Sequence, residues 1–530
     1  MLNPTIEALK QENNQLKTTI LEKDSLIETK DSLIETKDKL IEQLHEALKL
    51  AWAKRFGKSS EQFIDPNDPQ GDLFDEAYVD SNIIDNETSD VEVKPYTRKK
   101  TRSKRQPLPD YLPREIIEYK LSEGELLLDN GLKYEIIGAD KSEQLEIVPA
   151  DVKVIEHIKY KYAVNGHEEY GVITATMPIQ AIPKSIASSG LLAHIVQSKY
   201  CYHLPLYRQA QIWQQLDIDI SRSSMSRWMM VLGEKVQPIA DEIMEQIKEL
   251  PYIQSDETKA IVLQEKDKLE GSHNGYMWVF NNPNGCLYEY NSSREGEYVY
   301  NKLEEYQGYI QSDAYSGYNC LFMPNSGRIS VGCWAHARRK FMDVINASGK
   351  KSPKGIAHKV VKLIGKLYQI ESYAIENNLS HDEIKQIRLE KSKPILNEIK
   401  IILDDVLTRT PPKGLLGKAV GYALNNWPEL NQYLNEGYLP IDNNDTERKI
   451  KPFAVGRKNW LFSGNSKGAQ ASANLFTLIE NAKLHNLKIF EYLTFVFDRI
   501  GDAKSDKDFE QLTPKYAAPY VPKLRSKNHT

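Results

Sequence analysis

The stretch "YIQSDETKAIVL" at residues 252–263 decides the fold, because its first five residues return as "YIQSD" at 309–313. Both copies read as strands, with Asp256 within the first and Asp313 at the end of the second. Alternation along a strand places the tyrosine, glutamine and aspartate of each copy on one face. The repeat therefore predicts two strands that carry a carboxylate at the same position.

Further strands and helices surround these two copies. "GYMWVF" from residue 275 and "GCLYEYN" from residue 285 read as strands, and a helix is expected near "REGEYVYNKLEEY". "ISVGCWAHARRKFMDVI" at 329–345 reads as a strand that runs into a helix. Three strands, a helix, a strand, and then a strand and a helix is the order of a ribonuclease-H-like α/β fold, a mixed sheet with helices on its faces.

Facing carboxylates repel each other unless a cation lies between them. Two Mg²⁺ ions about 3.5–4 Å apart are the usual solution in nucleases and polymerases, and hard carboxylate oxygens suit Mg²⁺ better than zinc. A third carboxylate is expected from a later helix, and Glu447 in "YLPIDNNDTERKIKP" at 438–452 is the candidate. Two alternatives stay open: Asn444 and Glu447 could form a capping box, and each aspartate could cap a turn.

These motifs resemble those of the DDE transposases of the insertion sequence 66 family. The matching pieces are "SDET", "QSDAYSGYN", "GCWAHARRKF", "DNNDTERKIKP" and "GRKNWLFSGN", in that family's order between about residues 145 and 500. The resemblance implies that Asp256, Asp313 and Glu447 form a catalytic triad that binds two Mg²⁺ ions, with Mn²⁺ able to substitute. It implies DNA cleavage at transposon ends, strand transfer into target DNA, an all-helical insertion, and small accessory transposition proteins as further partners.

Two other functions stay open at this point. A catalytically inactive DNA-binding regulator of transposition would keep the fold without the chemistry, although the presence of all three acids argues against it. A cellular nuclease of the same fold would cut DNA without end specificity. Cleavage of a transposon-end duplex distinguishes the three.

The N-terminal region has its own patterns. "DSLIETK" at 24–30 recurs at 31–37 and loosely at 38–44, and this seven-residue repeat predicts a left-handed coiled coil and a homo-oligomer. A solvated single helix is the alternative. An acidic stretch then gives way to "RKKTRSKR" at 98–105, a charge pattern typical of a disordered linker.

Residues 190–233 read as helices. One helix from about 206 to 216 stops at "DIDIS", and Ser221 can cap a second helix that runs to Gly233. Two short helices with a tight connection fit a helix-turn-helix, whose second helix enters a DNA groove, although many such pairs are only structural.

Two further motifs suit contact with DNA. In "CWAHARRKF", His336, Arg339 and Lys340 share a helix face and are expected to hold the scissile phosphate or the flanking strand. In "GRKNWLFSGN", cations beside Trp460 suit a distorted or single-stranded DNA end. An interior histidine and a buried aromatic core are the respective alternatives. The predicted DNA-contacting residues are Arg222, Ser224, Arg227, His336, Arg338, Arg339, Lys340, Arg448, Lys451, Arg457, Lys458 and Trp460.

Composition narrows the remaining possibilities. The chain is 40% hydrophobic and has a net charge of −5, and its N-terminus lacks a secretory signal, which together predict a cytoplasmic protein without membrane spans. The four cysteines form no CxxC pair and are expected to be reduced and mostly buried. The insertion sequence 66 family often has paired cysteines in the β module. Residues 108–185 have none, so no zinc is expected there.

The predicted organisation has eight parts. They are a coiled-coil oligomerisation helix (1–58), a disordered acidic-then-basic linker (59–107), a small β module (108–185), a helix-turn-helix-like DNA-binding region (186–250), the first part of the catalytic domain (251–350), a helical insertion (351–436), the second part of the catalytic domain (437–484), and a C-terminal helix and tail (485–530). The predicted macromolecular partners are the terminal inverted repeats and the target DNA.

Overall fold

The computed structural model describes a mixed α/β chain in two units, Ser89–Met177 and the remainder. The described residues are single helical positions between 17 and 44, the stretches 152–157, 160–163 and 172–174, and 179–264, 273–348 and 355–524. In the smaller unit, strands β1 (Lys161–Ala163) and β2 (Val172–Thr174) pair antiparallel. The predicted linker, much of the coiled coil and most of the β module lie outside the described residues.

The larger unit is built on a six-stranded mixed sheet. Strands β3, β4 and β5 form an antiparallel meander, and β6 and β7 run parallel to β3 on its other side, in the order β5-β4-β3-β6-β7. A short strand, β8, pairs with the far end of β3. The strands are β3 Tyr252–Gln264, β4 His273–Asn282, β5 Gly285–Asn291, β6 Gly308–Gln311, β7 Arg328–Val331 and β8 Ser463–Asn465.

Helices cover the sheet and form a separate layer beside it. The first helix after β5 and the helix after β7 occur where the sequence predicted them. The α-helices are α1 Ser189–Tyr200, α2 Leu206–Gln215, α3 Arg222–Lys235, α4 Gln237–Lys248, α5 Gly296–Lys302, α6 Trp334–Ser348, α7 Ile356–Glu376, α8 His381–Ile387, α9 Lys393–Leu407, α10 Leu415–Asn425, α11 Trp427–Asn431, α12 Asn444–Trp460, α13 Ser466–Leu484, α14 Ile489–Arg499, α15 Asp506–Leu512 and α16 Pro514–Ala517.

The edge strand β5 is completed by side chains of helix α13. The backbone N–H groups of Cys286 and Tyr288 donate to Asn481 Oδ1 at 3.0 Å and Thr477 Oγ1 at 2.9 Å. The Asn481 Nδ2 group donates back to the Cys286 carbonyl at 2.6 Å. A bare sheet edge would leave buried N–H and C=O groups without partners, so this helix satisfies the edge as well as covering it.

Helices α2 and α3 have the predicted short connection. The Ser221 hydroxyl accepts from the Ser224 N–H at 3.1 Å, so the predicted cap is confirmed, and α3 ends at Lys235, two residues beyond the prediction. Its inner face buries Met225, Met229 and Leu232. The outer face of α3 is exposed to solvent.

Helices α7, α9, α10 and α11 form a second hydrophobic core that reaches β7 and α6. A π-helical turn at Arg388–Ser392 turns the Arg388 side chain inward, where 2% of the residue is exposed. Its guanidinium pairs with Glu371 and donates to the Tyr433 and Glu436 carbonyls. All three nitrogens of this buried cation therefore have partners, as burial of a charge requires.

Two predictions about the chain's chemistry can be compared with the described residues. All four cysteines are free thiols, but only Cys286 and Cys333 are buried, so the expectation of mostly buried thiols holds for half of them. No helix in the described ranges combines the length and apolar character that crossing a bilayer needs.

A pair of glycine substitutions tests the packing of α3 on α13. A Cβ atom at Gly233 would lie 2.3 Å from the Ala471 Cβ and 2.4 Å from its Cα, whereas a Cβ at Gly421 in α10 meets no atom within 4 Å. We expect Gly233→Ala to lower the free energy of unfolding by about 1–3 kcal/mol through overpacking. Gly421→Ala should raise it by about 0.5–1 kcal/mol. Urea unfolding measures both, and equal effects would contradict the packing described.

Candidate active site

The two "YIQSD" copies lie side by side in register. Parallel pairing joins Tyr252 to Tyr309, Ile253 to Ile310 and Gln254 to Gln311 in consecutive rungs. Asp256 and Asp313 each follow the last rung by two residues, so Asp256 lies within β3 and Asp313 lies in the loop after β6. Neighbouring strands are about 4.8 Å apart, so the repeat brings the two half-buried aspartates together.

A buried amide network fixes this register. Gln254 Nε2 donates to Gln311 Oε1 at 2.7 Å, and the two glutamines are 2% and 1% exposed. Gln254 also donates to the Asp442 carbonyl and accepts from the Thr446 hydroxyl at 3.1 Å. These bonds tie the first turn of α12 to both strands and so position Glu447.

Glu447 faces Arg339 and His336 of α6. Arg339 Nη2 lies 3.2 and 3.4 Å from the two carboxylate oxygens, and His336 Nε2 lies 3.5 Å from Oε1. The Glu447 side chain is 11% exposed. The capping-box alternative is wrong, because the N-cap is Asn443 and no side chain caps it.

The other two acids of the motif have structural contacts. Asp442 Oδ1 accepts from the Asn444 N–H at 3.0 Å, and its Oδ2 accepts from Tyr368 OH at 2.6 Å. Asp445 Oδ2 accepts from Asn281 Nδ2 at 2.7 Å. Glu447 is thus the acid of this turn whose carboxylate faces α6 and whose charge acts on Asp256.

Burial raises the pKa of Asp256 well above its ordinary value of 3.8. The negative charges of Glu257, Asp313 and Glu447 raise this pKa further. The N–H of Glu257 donates to Asp256 Oδ1 at 2.8 Å and partly offsets the effect. The carboxylates therefore act on the same space and repel one another there.

Glu257 is a fourth acid that sequence reasoning missed. Its side chain is fully buried and ion-paired with Arg294, and Tyr318 OH donates to it at 2.9 Å. Burial raises its pKa, against the lowering effect of the guanidinium. The sequence feature that could have identified Glu257 is its position directly after Asp256, on the opposite face of β3.

The loop that carries Asp313 is also held in place. The Tyr315 N–H donates to Asp313 Oδ1 at 2.9 Å, and Tyr422 OH, from helix α10, donates to the Asp313 carbonyl at 3.0 Å. Ala314 has φ of 65°, a conformation that a residue with a side chain adopts only where its surroundings enforce it. The Arg294 guanidinium stacks 3.7 Å over the Tyr315 ring.

The pKa of His336 is lowered by its surroundings. Burial lowers it from the ordinary value of 6.5, and the Arg339 guanidinium lowers it further against the opposing effect of Glu447. The lowered pKa favours the neutral imidazole in the contact with Glu447.

Three carboxylates of this kind suit a divalent cation by donor chemistry, since Asp256, Asp313 and Glu447 offer only hard oxygen ligands. In the described parts of the chain, however, no three His, Cys, Asp or Glu side chains stand close enough together to hold a metal ion. The third carboxylate, that of Glu447, is in contact with Arg339.

The predicted DNA-contacting residues differ in how much of each residue is exposed to solvent. Arg338 is 3% exposed, so its prediction as a DNA contact is wrong: the adjacent Arg339 points outward from α6 and Arg338 points in. Trp460 is half-buried against Tyr200 and Phe476, which favours the aromatic-core alternative for it. Arg457 donates to Thr258 Oγ1 and the Lys259 carbonyl on β3.

The remaining candidates lie nearer the surface. Ser224 is half-buried and its hydroxyl accepts from Ser221, so it belongs to the cap of α3. Phe462, two residues after the half-buried Trp460, lies nearer the surface and is 47% exposed. The exposed cations of the predicted set are Arg222, Arg227, Lys340, Arg448 and Lys458, while Arg339 and Lys451 are half-buried.

Comparison with known proteins places the chain among transposases. The model of the transposase IS66 family matches residues 184–471. Residues 43–117 match the homeodomain of transposase C of IS166, and residues 130–163 match the zinc-finger binding domain of transposase IS66. These matches include the segment that holds all three acids.

Curated relatives are also similar over most of the chain. Uncharacterized protein y4jD of Sinorhizobium fredii is 32% identical over 74% of this chain and 78% of its own length. Uncharacterized protein y4qI of the same organism is 31% identical over 72% of each chain.

The zinc-finger match contradicts the prediction that no zinc is bound. That prediction rested on the absence of cysteine from the β module. The matched residues 130–163 contain one histidine, His157, and no cysteine. Cysteine counting was an incomplete criterion, because zinc also accepts imidazole nitrogen and carboxylate oxygen.

The raised pKa of Asp256 gives a pH-dependent prediction. The folded state binds this proton more tightly than the unfolded chain, so the contribution to stability is present below about pH 4 and is lost as pH rises through the raised pKa. We expect Asp256→Asn to stabilise the protein in EDTA at about pH 7.5 and to have little effect at about pH 4. Urea unfolding measures this, with exposed Asp502→Asn as the control. The same pH dependence in Asp256→Asn and wild type would contradict it.

Proposed function

The chain belongs to the transposase IS66 family, and we propose that it cuts DNA at transposon ends and transfers the cut strand into target DNA. The in-register pairing of the two "YIQSD" strands is the observation that carries this proposal. It supports roles for Asp256 and Asp313 as paired catalytic carboxylates. Glu447, held against the same space by α12, is the proposed third.

The proposed fold of this catalytic part is ribonuclease-H-like. Its support is the strand order β5-β4-β3-β6-β7, with an antiparallel meander followed by two strands parallel to β3. Strand β6 ends at Gln311, opposite Gln254, so Asp313 follows the end of β6 beside Asp256 within β3. The proposed carboxylates come from those two strands.

Asp256, Asp313 and Glu447 are the proposed ligands of two divalent ions, with Mg²⁺ the ion best suited to their oxygen donors. When bound, such ions activate water or a DNA 3′-hydroxyl and stabilise the leaving oxygen of the phosphodiester. The protein's contribution is placement. The glutamine pair fixes the strands, and the Tyr315 N–H and Tyr422 hydroxyl fix the Asp313 loop.

Helix α3 is the proposed reading helix for DNA. Arg222 and Arg227 are exposed on it, while Met225 and Trp228 bury the opposite face. Arginine side chains bind phosphates and guanine edges through their planar fork. The exposed Lys458 is proposed to contact backbone phosphate nearer the carboxylates.

A second copy of the chain is the proposed partner of the N-terminal helix. The described helical residues Leu33, Ile34, Ile41 and Leu44 are each more than half exposed in a single chain. Ile34 and Ile41 share one heptad position, so pairing of two copies would remove both from water. Two joined subunits could hold both transposon ends.

The carboxylate assignment is tested by DNA cleavage. We expect Asp256→Asn, Asp313→Asn and Glu447→Gln each to lower Mg²⁺-dependent cleavage of a terminal-inverted-repeat duplex by about a thousandfold or more, since metal ions supply several kcal/mol. Asp445→Asn is the matched control from the same helical turn and should keep activity. Full activity in the three variants would contradict the proposal. Binding without cleavage by wild type would favour a regulator.

The role of α3 is tested by salt dependence. We expect Arg227→Ala to weaken duplex binding and to reduce the slope of log K against log salt by about 1, because one phosphate contact is lost. Arg409→Ala, which removes an exposed arginine paired with Asp405, is the control. Fluorescence anisotropy at several salt concentrations measures both, and unchanged binding by Arg227→Ala would exclude Arg227 as a contact.

A further inference from the structure

The carboxylate of Glu447 is already occupied by a cation of the protein. Arg339 Nη2 contacts both of its oxygens, at 3.2 and 3.4 Å. The Arg339 side chain is 38% exposed, and that of Glu447 is 11% exposed. One end of this pair is therefore fixed in the site, and the other can reach solvent.

This contact competes with metal binding. One nitrogen, Arg339 Nη2, contacts both carboxylate oxygens and places a positive charge beside them. This charge repels a divalent ion at the same carboxylate, so Glu447 binds an ion more weakly while Arg339 stays in contact with it. The spacing of the described acids agrees with this, since no three of them are yet within metal-binding reach.

The contact between Arg339 and Glu447 also reduces the repulsion among the carboxylates. Without a cation, the like charges of Asp256, Asp313 and Glu447 repel one another. A positive charge on Glu447 relieves part of that repulsion. Once a divalent ion neutralises the acids, the guanidinium is no longer required there.

We propose that Arg339 is an exchangeable counter-ion: it pairs with Glu447 in the metal-free protein and moves to a DNA phosphate when a divalent ion takes Glu447. The inference rests on the proposed function. Arginine suits this exchange because carboxylate and phosphate both fit its planar fork. Arg339 would thereby couple metal binding to DNA binding.

The first test measures metal affinity without DNA. Calorimetric titration of the full chain with Mg²⁺ compares wild type with Arg339→Gln, and with Lys340→Gln as the control for a neighbouring cation that stacks on Tyr422. We expect Arg339→Gln to tighten Mg²⁺ binding by about three- to fivefold, the size of a partly exposed ion pair, and Lys340→Gln to change it less. In a Glu447→Gln background the effect of Arg339→Gln should disappear.

The second test measures DNA affinity with and without metal. Ca²⁺, used to replace Mg²⁺, should strengthen binding of a mixed-sequence duplex to wild type and increase its salt slope by about 1. Arg339→Gln should lose this increase while keeping the metal-free slope. Arg409→Gln should behave as wild type.

The outcomes separate the two proposals. Equal Mg²⁺ affinities for wild type, Arg339→Gln and Lys340→Gln would overturn the exchange while leaving a metal-dependent transposase intact. An Arg339→Gln effect that persists without the Glu447 carboxylate would also overturn it. Absence of Mg²⁺ binding to wild type, with cleavage unaffected by EDTA, would overturn both.

Discussion

The hydrogen bond between Gln254 and Gln311 is the constraint on which the site depends. Both amides are buried, so each must find partners inside the protein. A slip of one residue between the strands would turn one glutamine away and leave the other unsatisfied. The same slip would move one aspartate to the opposite face. The amide pair thus fixes the register of the strands and the proximity of the acids together.

The network extends from the sheet to the later segments of the chain. Thr446 donates to Gln254, and Gln311 donates to the carbonyls of Gly332 and Pro440. Segments far apart in sequence are therefore joined at one small polar cluster in the core. The helical layer adds two hydroxyls, Tyr422 on the Asp313 loop and Tyr368 on Asp442. The helical layer therefore stabilises the site through these two hydrogen bonds.

Accumulating acids in a partly buried site has an electrostatic penalty, and the protein offsets it with arginines. Arg294 pairs with Glu257 behind Asp256, and Arg339 pairs with Glu447. The first pair is held in place by the hydrogen bond from Tyr318 to Glu257 and by the stacking of Arg294 on Tyr315. The two arginine side chains are similarly exposed, at 37% and 38%, but the Glu257 side chain is fully buried and the Glu447 side chain is 11% exposed. The pair with the buried carboxylate stabilises the strand, whereas the proposed exchange uses the pair whose carboxylate is accessible.

The sequence by itself determined the strands, the order of elements, the Ser221 cap and the three candidate acids. These follow from local rules, namely alternation, capping and a repeated pentapeptide, which act over a few residues. Only the tertiary structure decided that Arg338 points inward and Arg339 outward, that Trp460 packs against Tyr200, and that Glu447 pairs with Arg339 and does not cap its helix. Neighbouring arginines in one motif look alike in sequence. What distinguishes them is the surface that each helix buries, and that is set by packing between segments distant in the chain.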